Sequence, residues 1–338
     1  MLDKSRRITE IDVLRGIGIL LVILQHCGVP EWLNMPILAF HMPLFFVVSG
    51  YLFRSRAAKD YFGAKAIALL VPMVLFEMAN LTLDCIPISL GDGYHLNLYR
   101  GKRLLAFGAP WFIPALLYAE TGIYLLDCSI RKLTEARSIY RILELCTAFL
   151  ILALGIRHCQ IAPFGGNDGN YLPLGCVAFF FVVAGHLIRL YGMGDKLKAL
   201  PRWGLIVGGC LLIIALCFSS RLNSVVYMYA GKFGSPLAFV LNALLGVAGT
   251  ALLAFGIRNN PFLEYCGRHS LVIFYLHSFV LTLFRYAFIM LHLLQDSPIC
   301  RGMIIFALTV PIVMIGCWLV NRYAPWLEGK FSNKTEMA

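Results

Sequence analysis

The chain has 338 residues, of which 59% are hydrophobic and 14% charged, and its formal net charge is +11. That composition excludes a soluble globular protein; ten apolar spans of about 20 residues would use roughly 200 residues and leave short connections. A basic chain suits a nucleic-acid partner, but here Lys and Arg are scattered between apolar stretches. Membrane orientation accounts for them better, and no nucleic acid is expected.

Apolar run length predicts ten membrane-crossing helices, over residues 12–29, 36–53, 64–81, 111–126, 142–157, 171–188, 203–219, 236–257, 270–291 and 302–320. The expected fold is an all-α, polytopic membrane helix bundle forming one integral membrane domain over residues 1–338, with no appended soluble catalytic domain. The first span carries Asp12 and Arg15 at one end and His26 near the other. Ionisable groups cost about 3 kcal/mol or more at membrane depth, so they are retained there mainly for pairing, water-filled cavities or function. From Arg15 to His26 is eleven residues, about 16.5 Å of rise and roughly 20° past three full turns. Both side chains therefore lie on one stripe. The same residues also suit a snorkelling arginine and an interfacial histidine bonded to a backbone carbonyl. Asp12, one turn before Arg15, either orients it or caps the helix start. Cys27 follows His26 but points about 100° away, which disfavours a dyad.

The second span holds His41 and Ser49, the latter beside Gly50, where the backbone allows close approach. Lys65 opens the third span, as a snorkelling lysine or a ligand contact, and Glu77 lies deep within it. Trp111 opens the fourth, which holds Glu120; the ninth holds His277 and, about 80° around the helix, Arg285. Neither glutamate should be charged in hydrocarbon without a partner. A Glu120–Arg285 or Glu77–Arg285 ion pair is the default expectation, and holding an acceptor or tuning His26 is the sharper one. The connections 82–110 and 158–170 are polar enough to meet a sugar, and equally typical of solvated loops. The segments Phe45–Arg54 and Phe180–Arg189 agree at seven of ten positions, as a parallel duplication or a chance likeness of apolar helices would.

Eleven cysteines include no Cys-x-x-Cys pair, and most lie inside apolar spans; neither a disulfide framework nor a metal site is expected. No cleavable signal peptide is expected. Assigning alternate connections to opposite sides puts twenty Lys and Arg on one side and seven on the other, which predicts that both termini are cytoplasmic. Arg15 then lies toward the cytoplasm and His26 toward the far side.

Four motifs together resemble one family. These are Asp12-x-x-Arg15-Gly16 with His26 ten positions beyond Gly16, and His41-Met42-Pro43-Leu44-Phe45-Phe46-x-x-Ser49-Gly50-Tyr51. The others are Trp111-Phe112-Ile113-Pro114-Ala115-Leu116 and Ser270-Leu271-x-x-Phe274-Tyr275-Leu276-His277. In this order they are similar to the acyltransferase-3 family of integral membrane acyltransferases, especially its branch resembling fucose 4-O-acetylases. The family commonly has two basic residues three apart before the proline of the third helix; here Lys65 fits the first and Ala68 stands at the second.

The resemblance implies a multi-pass enzyme of the inner or plasma membrane that moves an acyl group, such as acetyl from acetyl-coenzyme A, to a hydroxyl of a cell-surface glycan or its precursor. Its partners would be the lipid bilayer, the acyl-coenzyme A donor and the glycan acceptor, with no tightly bound cofactor. His26 would be the general base, with Arg15 and Lys65 toward the donor phosphates. Asp12, His41, Ser49, Glu77, Trp111, Glu120, His277 and Arg285 are supporting candidates. Direct transfer and a path through an acylated His26 or Ser49 both remain open. A multi-span transporter or flippase of a glycan-related substrate is the alternative, since buried charges and proline-interrupted helices suit it equally.

Overall fold

The computed structural model describes residues 8–84, 111–134, 136–161, 171–294 and 296–328, and every regular element among them is helical. In chain order these are α1 (Thr9–His26), α2 (Glu31–Leu52), α3 (Ala58–Lys65), α4 (Val71–Asp84), α5 (Phe112–Leu133), α6 (Arg137–Ile161) and α7 (Leu172–Leu190). They continue with α8 (Met193–Ala199), α9 (Arg202–Ser219), α10 (Pro236–Ile257), α11 (Pro261–Arg268), α12 (Ser270–Met290) and α13 (Pro298–Tyr323). Each of the ten predicted stretches is mainly helical. Among the described residues, seven helices are long and apolar enough to cross a membrane: α2, α5, α6, α7, α9 with its following turn, α10 and α13. The pair α11–α12, bent by 85°, makes an eighth if it counts as one span. Glu10, Asp12 and Arg15 keep α1 out of that set, and a five-residue π segment, Ala66–Leu70, interrupts the run from α3 to α4.

The chain forms two compact units. The first contains the described residues up to Leu52, with Ala184–Val226 and Phe233–Tyr323. At its centre is α1, whose Ile11, Val13, Leu14, Ile19, Val22 and Ile23 are buried against α2 and the α10–α13 segment. The closest approach is to α11. A Cβ at Gly16 would strike the carbonyl of Leu263, and one at Gly267 would strike the carbonyl of Asp12. Two glycines thus bring the backbones into contact, which lets apolar helices associate by packing alone. Helix α11 starts cleanly: Pro261 takes the first turn, and the Asn260 side chain accepts from the Leu263 amide at 3.0 Å. Ahead of it, α10 ends at Arg258 (φ 43°), whose guanidinium donates to the carbonyls of Phe255 at 2.6 Å and Lys198 at 3.0 Å.

The second unit contains Phe53–Val183, Tyr227–Lys232 and the residues after Tyr323. Its helices α5, α6 and α7 mesh through small residues: Gly122 faces Phe179, Gly175 faces Tyr118 and Gly155 faces Cys176. At one end Asp127 is buried, accepting from Arg131 at 2.8 Å and from the Tyr140 hydroxyl at 2.5 Å, so one carboxylate ties α5 to α6.

Candidate active site

Helix α1 is unbroken from Thr9 to His26, so Arg15 and His26 do share one stripe. The helix begins with Ile8 at the N-cap position and without a side-chain cap. Asp12 is its fourth residue, one turn inside and buried, so it does not cap the start. Arg15 Nη2 donates to the hydroxyl of Ser270 at 2.9 Å. At the other end, the exposed ring of His26 lies beside His277, centroids 5.4 Å apart and planes 41° apart. Ser270 and His277 are seven residues apart, about 20° short of two turns, and therefore on one face of α12. The two helices run parallel. Their contacts span eleven residues of α1 and seven of α12, and the long arginine side chain bridges the difference.

His277 is 4% exposed, and its Nδ1 lies 3.2 Å from the carbonyl of Ile273. A carbonyl only accepts, so Nδ1 carries the proton and, in the neutral ring, Nε2 carries the lone pair. His41 has the same local arrangement, buried in α2 with Nδ1 2.8 Å from the Ile37 carbonyl. Ser49 is half-buried on the same helix. The Cys27 thiol turns back to the Ile23 carbonyl at 3.1 Å. Glu10 pairs with Lys198 at 3.2 Å.

Lys65, Trp111 and Glu120 belong to the second unit. Lys65 Nζ lies 2.6 Å from Glu120 Oε1, and the Tyr61 hydroxyl donates to Glu120 Oε2. Burial, and next the Glu120 carboxylate, push the Tyr61 phenol above its ordinary range, so it stays a donor. The sequence pointed to Arg285 as partner for either Glu120 or Glu77; the ion pair seen for Glu120 is with Lys65. Lys65 lies 55 residues from Glu120, so no helical periodicity in the sequence connects the two. Trp111 stands at the N-cap position of α5 without a side-chain cap, its ring edge-on to Phe112 with centroids 6.3 Å apart. The Glu77 and Arg285 side chains, like the segments 85–110 and 162–170, lie outside the described residues. Among the described residues no three His, Cys, Asp or Glu side chains stand together as a metal site requires.

The two similar ten-residue segments meet at their ends within the first unit. Gly185 lets α7 approach the backbone of Val47 and Tyr51, and Arg189 Nη1 reaches the Tyr51 carbonyl at 3.4 Å. The sequence reading missed the partnership of Ser270 with Arg15, the close approach at Gly16 and Gly267, and the Tyr61–Glu120 bond. The matching face of Ser270 and His277 was a readable signal for the first.

The described residues thus define a multi-pass helical protein with an arginine and a histidine on one stripe of its first helix. A family model described as an acyltransferase domain matches residues 8–322, so the chain belongs to the acyltransferase-3 family. It is similar to the nodulation protein NolL of Sinorhizobium fredii strain NGR234, with 27% identity over 231 residues. That match covers 64% of this chain and 57% of NolL, so the chain spans little more than half the length of this relative. No solved structure matches it.

Proposed function

We propose that the protein is an O-acetyltransferase of the inner or plasma membrane, taking acetyl from cytoplasmic acetyl-coenzyme A and placing it on a hydroxyl of a cell-surface glycan or precursor. The observation that carries this reading is the Arg15–His26 stripe, met at one end by Ser270 and at the other by His277. A hydroxyl attacks poorly until a base takes its proton, and histidine is the side chain whose ordinary pKa suits that task near neutral pH. His26 takes the proton as the oxygen attacks the thioester carbonyl. The new C–O bond forms, the C–S bond breaks, and the departing thiolate recovers the proton. Arg15 faces the donor phosphates, and the hydroxyl of Ser270 fixes the orientation of its planar fork. Lys65 enters through its ion pair with Glu120. The twenty-to-seven distribution of Lys and Arg supports cytoplasmic termini and hence a cytoplasmic donor. The glycan acceptor rests on the likeness of the second helix to fucose 4-O-acetylases.

The test is His26→Gln, which keeps hydrogen bonding but takes up no proton near neutral pH. Transfer of labelled acetyl from acetyl-coenzyme A to membrane glycans should fall by about 10²- to 10⁴-fold at matched protein levels. Near-normal turnover would return His26 to a packing role.

A further inference from the structure

We propose that His277 is a positioning residue for His26, fixing which ring nitrogen of His26 carries a proton and which one receives it. The inference rests on the reading of His26 as the base.

The ring contact is close enough to accommodate a polar bond. Two imidazoles joined edge to edge by an N–H···N bond of about 2.9 Å have centroids about 5.2 Å apart, each nitrogen lying about 1.15 Å from its ring centre. The observed 5.4 Å fits that arrangement, and the 41° tilt departs from the parallel planes of a stack. The state of His277 is also set within α12. Its Nδ1–H is held by the Ile273 carbonyl, so the lone pair sits on Nε2, and burial keeps the ring in place. Finally, α12 is registered on α1 at a second point, the Arg15–Ser270 bond, which limits sliding between the two rings.

The consequence follows from histidine chemistry. A ring N–H of His26 donates to Nε2 of His277, and the other nitrogen of His26 presents its lone pair to the acceptor hydroxyl. When the hydroxyl proton arrives there, the His26 ring becomes cationic and its bond to His277 becomes charge-assisted. His277 gains and loses no proton, and it touches no substrate.

Three variants test this with acetyl-coenzyme A as donor and native membranes as acceptor source, His26→Gln being measured alongside. His277→Phe keeps a ring without an acceptor. His277→Asn keeps a donor near Nδ1 but does not reach His26. His277→Gln places an amide oxygen near Nε2. The expected result is a loss in kcat of about tenfold or more for the Phe and Asn variants, with donor KM within about twofold, and substantial recovery with Gln. Full turnover with Phe, equal behaviour of Asn and Gln, or a loss confined to KM would overturn the proposal. So would failure of all three variants to yield folded protein on size exclusion, since His277 would then be a packing residue. An active His26→Gln enzyme would instead remove the reading of His26 as base, whatever the His277 variants do.

Discussion

At the scale of single residues, the arginine of α1 is defined by its geometry as much as by its charge. Arg15 meets the Ser270 hydroxyl through one edge of a planar fork that lysine lacks. Arg15→Lys should raise the donor KM by roughly tenfold, while Ser270→Ala, which removes one hydrogen bond to a charged group, should raise it by about threefold. Donor titrations at fixed acceptor measure both, and an unchanged KM for Arg15→Lys would remove the phosphate role. The stripe on α1 was legible in the sequence because two residues of one helix are related by helical spacing alone. The partners of that stripe were not, because Ser270 lies 255 residues from Arg15 and no periodicity connects them. Glu120 is a similar case. Its need for a cation was readable from its depth, but the cation, Lys65, lies 55 residues away and no periodicity connects the two.

At the scale of elements, the tightest joint is between α1 and α11. The Cβ of Gly16→Ala would land on the Leu263 carbonyl, a backbone atom that cannot rotate away. Forcing the helices apart should cost about 1–3 kcal/mol and lower both thermal stability in detergent and turnover. A fully active, equally stable Gly16→Ala protein would mean that the joint yields freely. The second unit offers a complementary test. Lys65→Met alone leaves the buried Glu120 carboxylate without its cation and should destabilise by about 3 kcal/mol. Adding Glu120→Gln should recover most of that loss. If the double variant is stable yet binds acetyl-coenzyme A poorly, Lys65 contacts the donor as well. The glycine of the first motif was visible in the sequence, but its purpose was not, since a glycine shows its use only when the facing backbone is known.

At the scale of the whole molecule, helical class and helix positions were legible because run length and apolarity decide them locally. Breaks within helices, such as the π segment at Ala66–Leu70 and the 85° bend before α12, were not, because they answer to packing. The charge asymmetry predicts that reporters fused at Lys196 and at Asp168 fall on opposite sides of the membrane, the first in the cytoplasm. A shared side would move Arg15 away from the donor. The α1–α11–α12 joint also sets the timetable of biosynthesis. Arg15 leaves the ribosome 255 residues before Ser270, which at about 5–20 residues per second is a wait of roughly 13–50 s. Throughout most of that interval α1, with Glu10, Asp12 and Arg15, is in the membrane or its insertion machinery without α11 and α12 against it. A nascent chain arrested after α10 should therefore show α1 accessible to an insertion chaperone, and release past α12 should end that exposure.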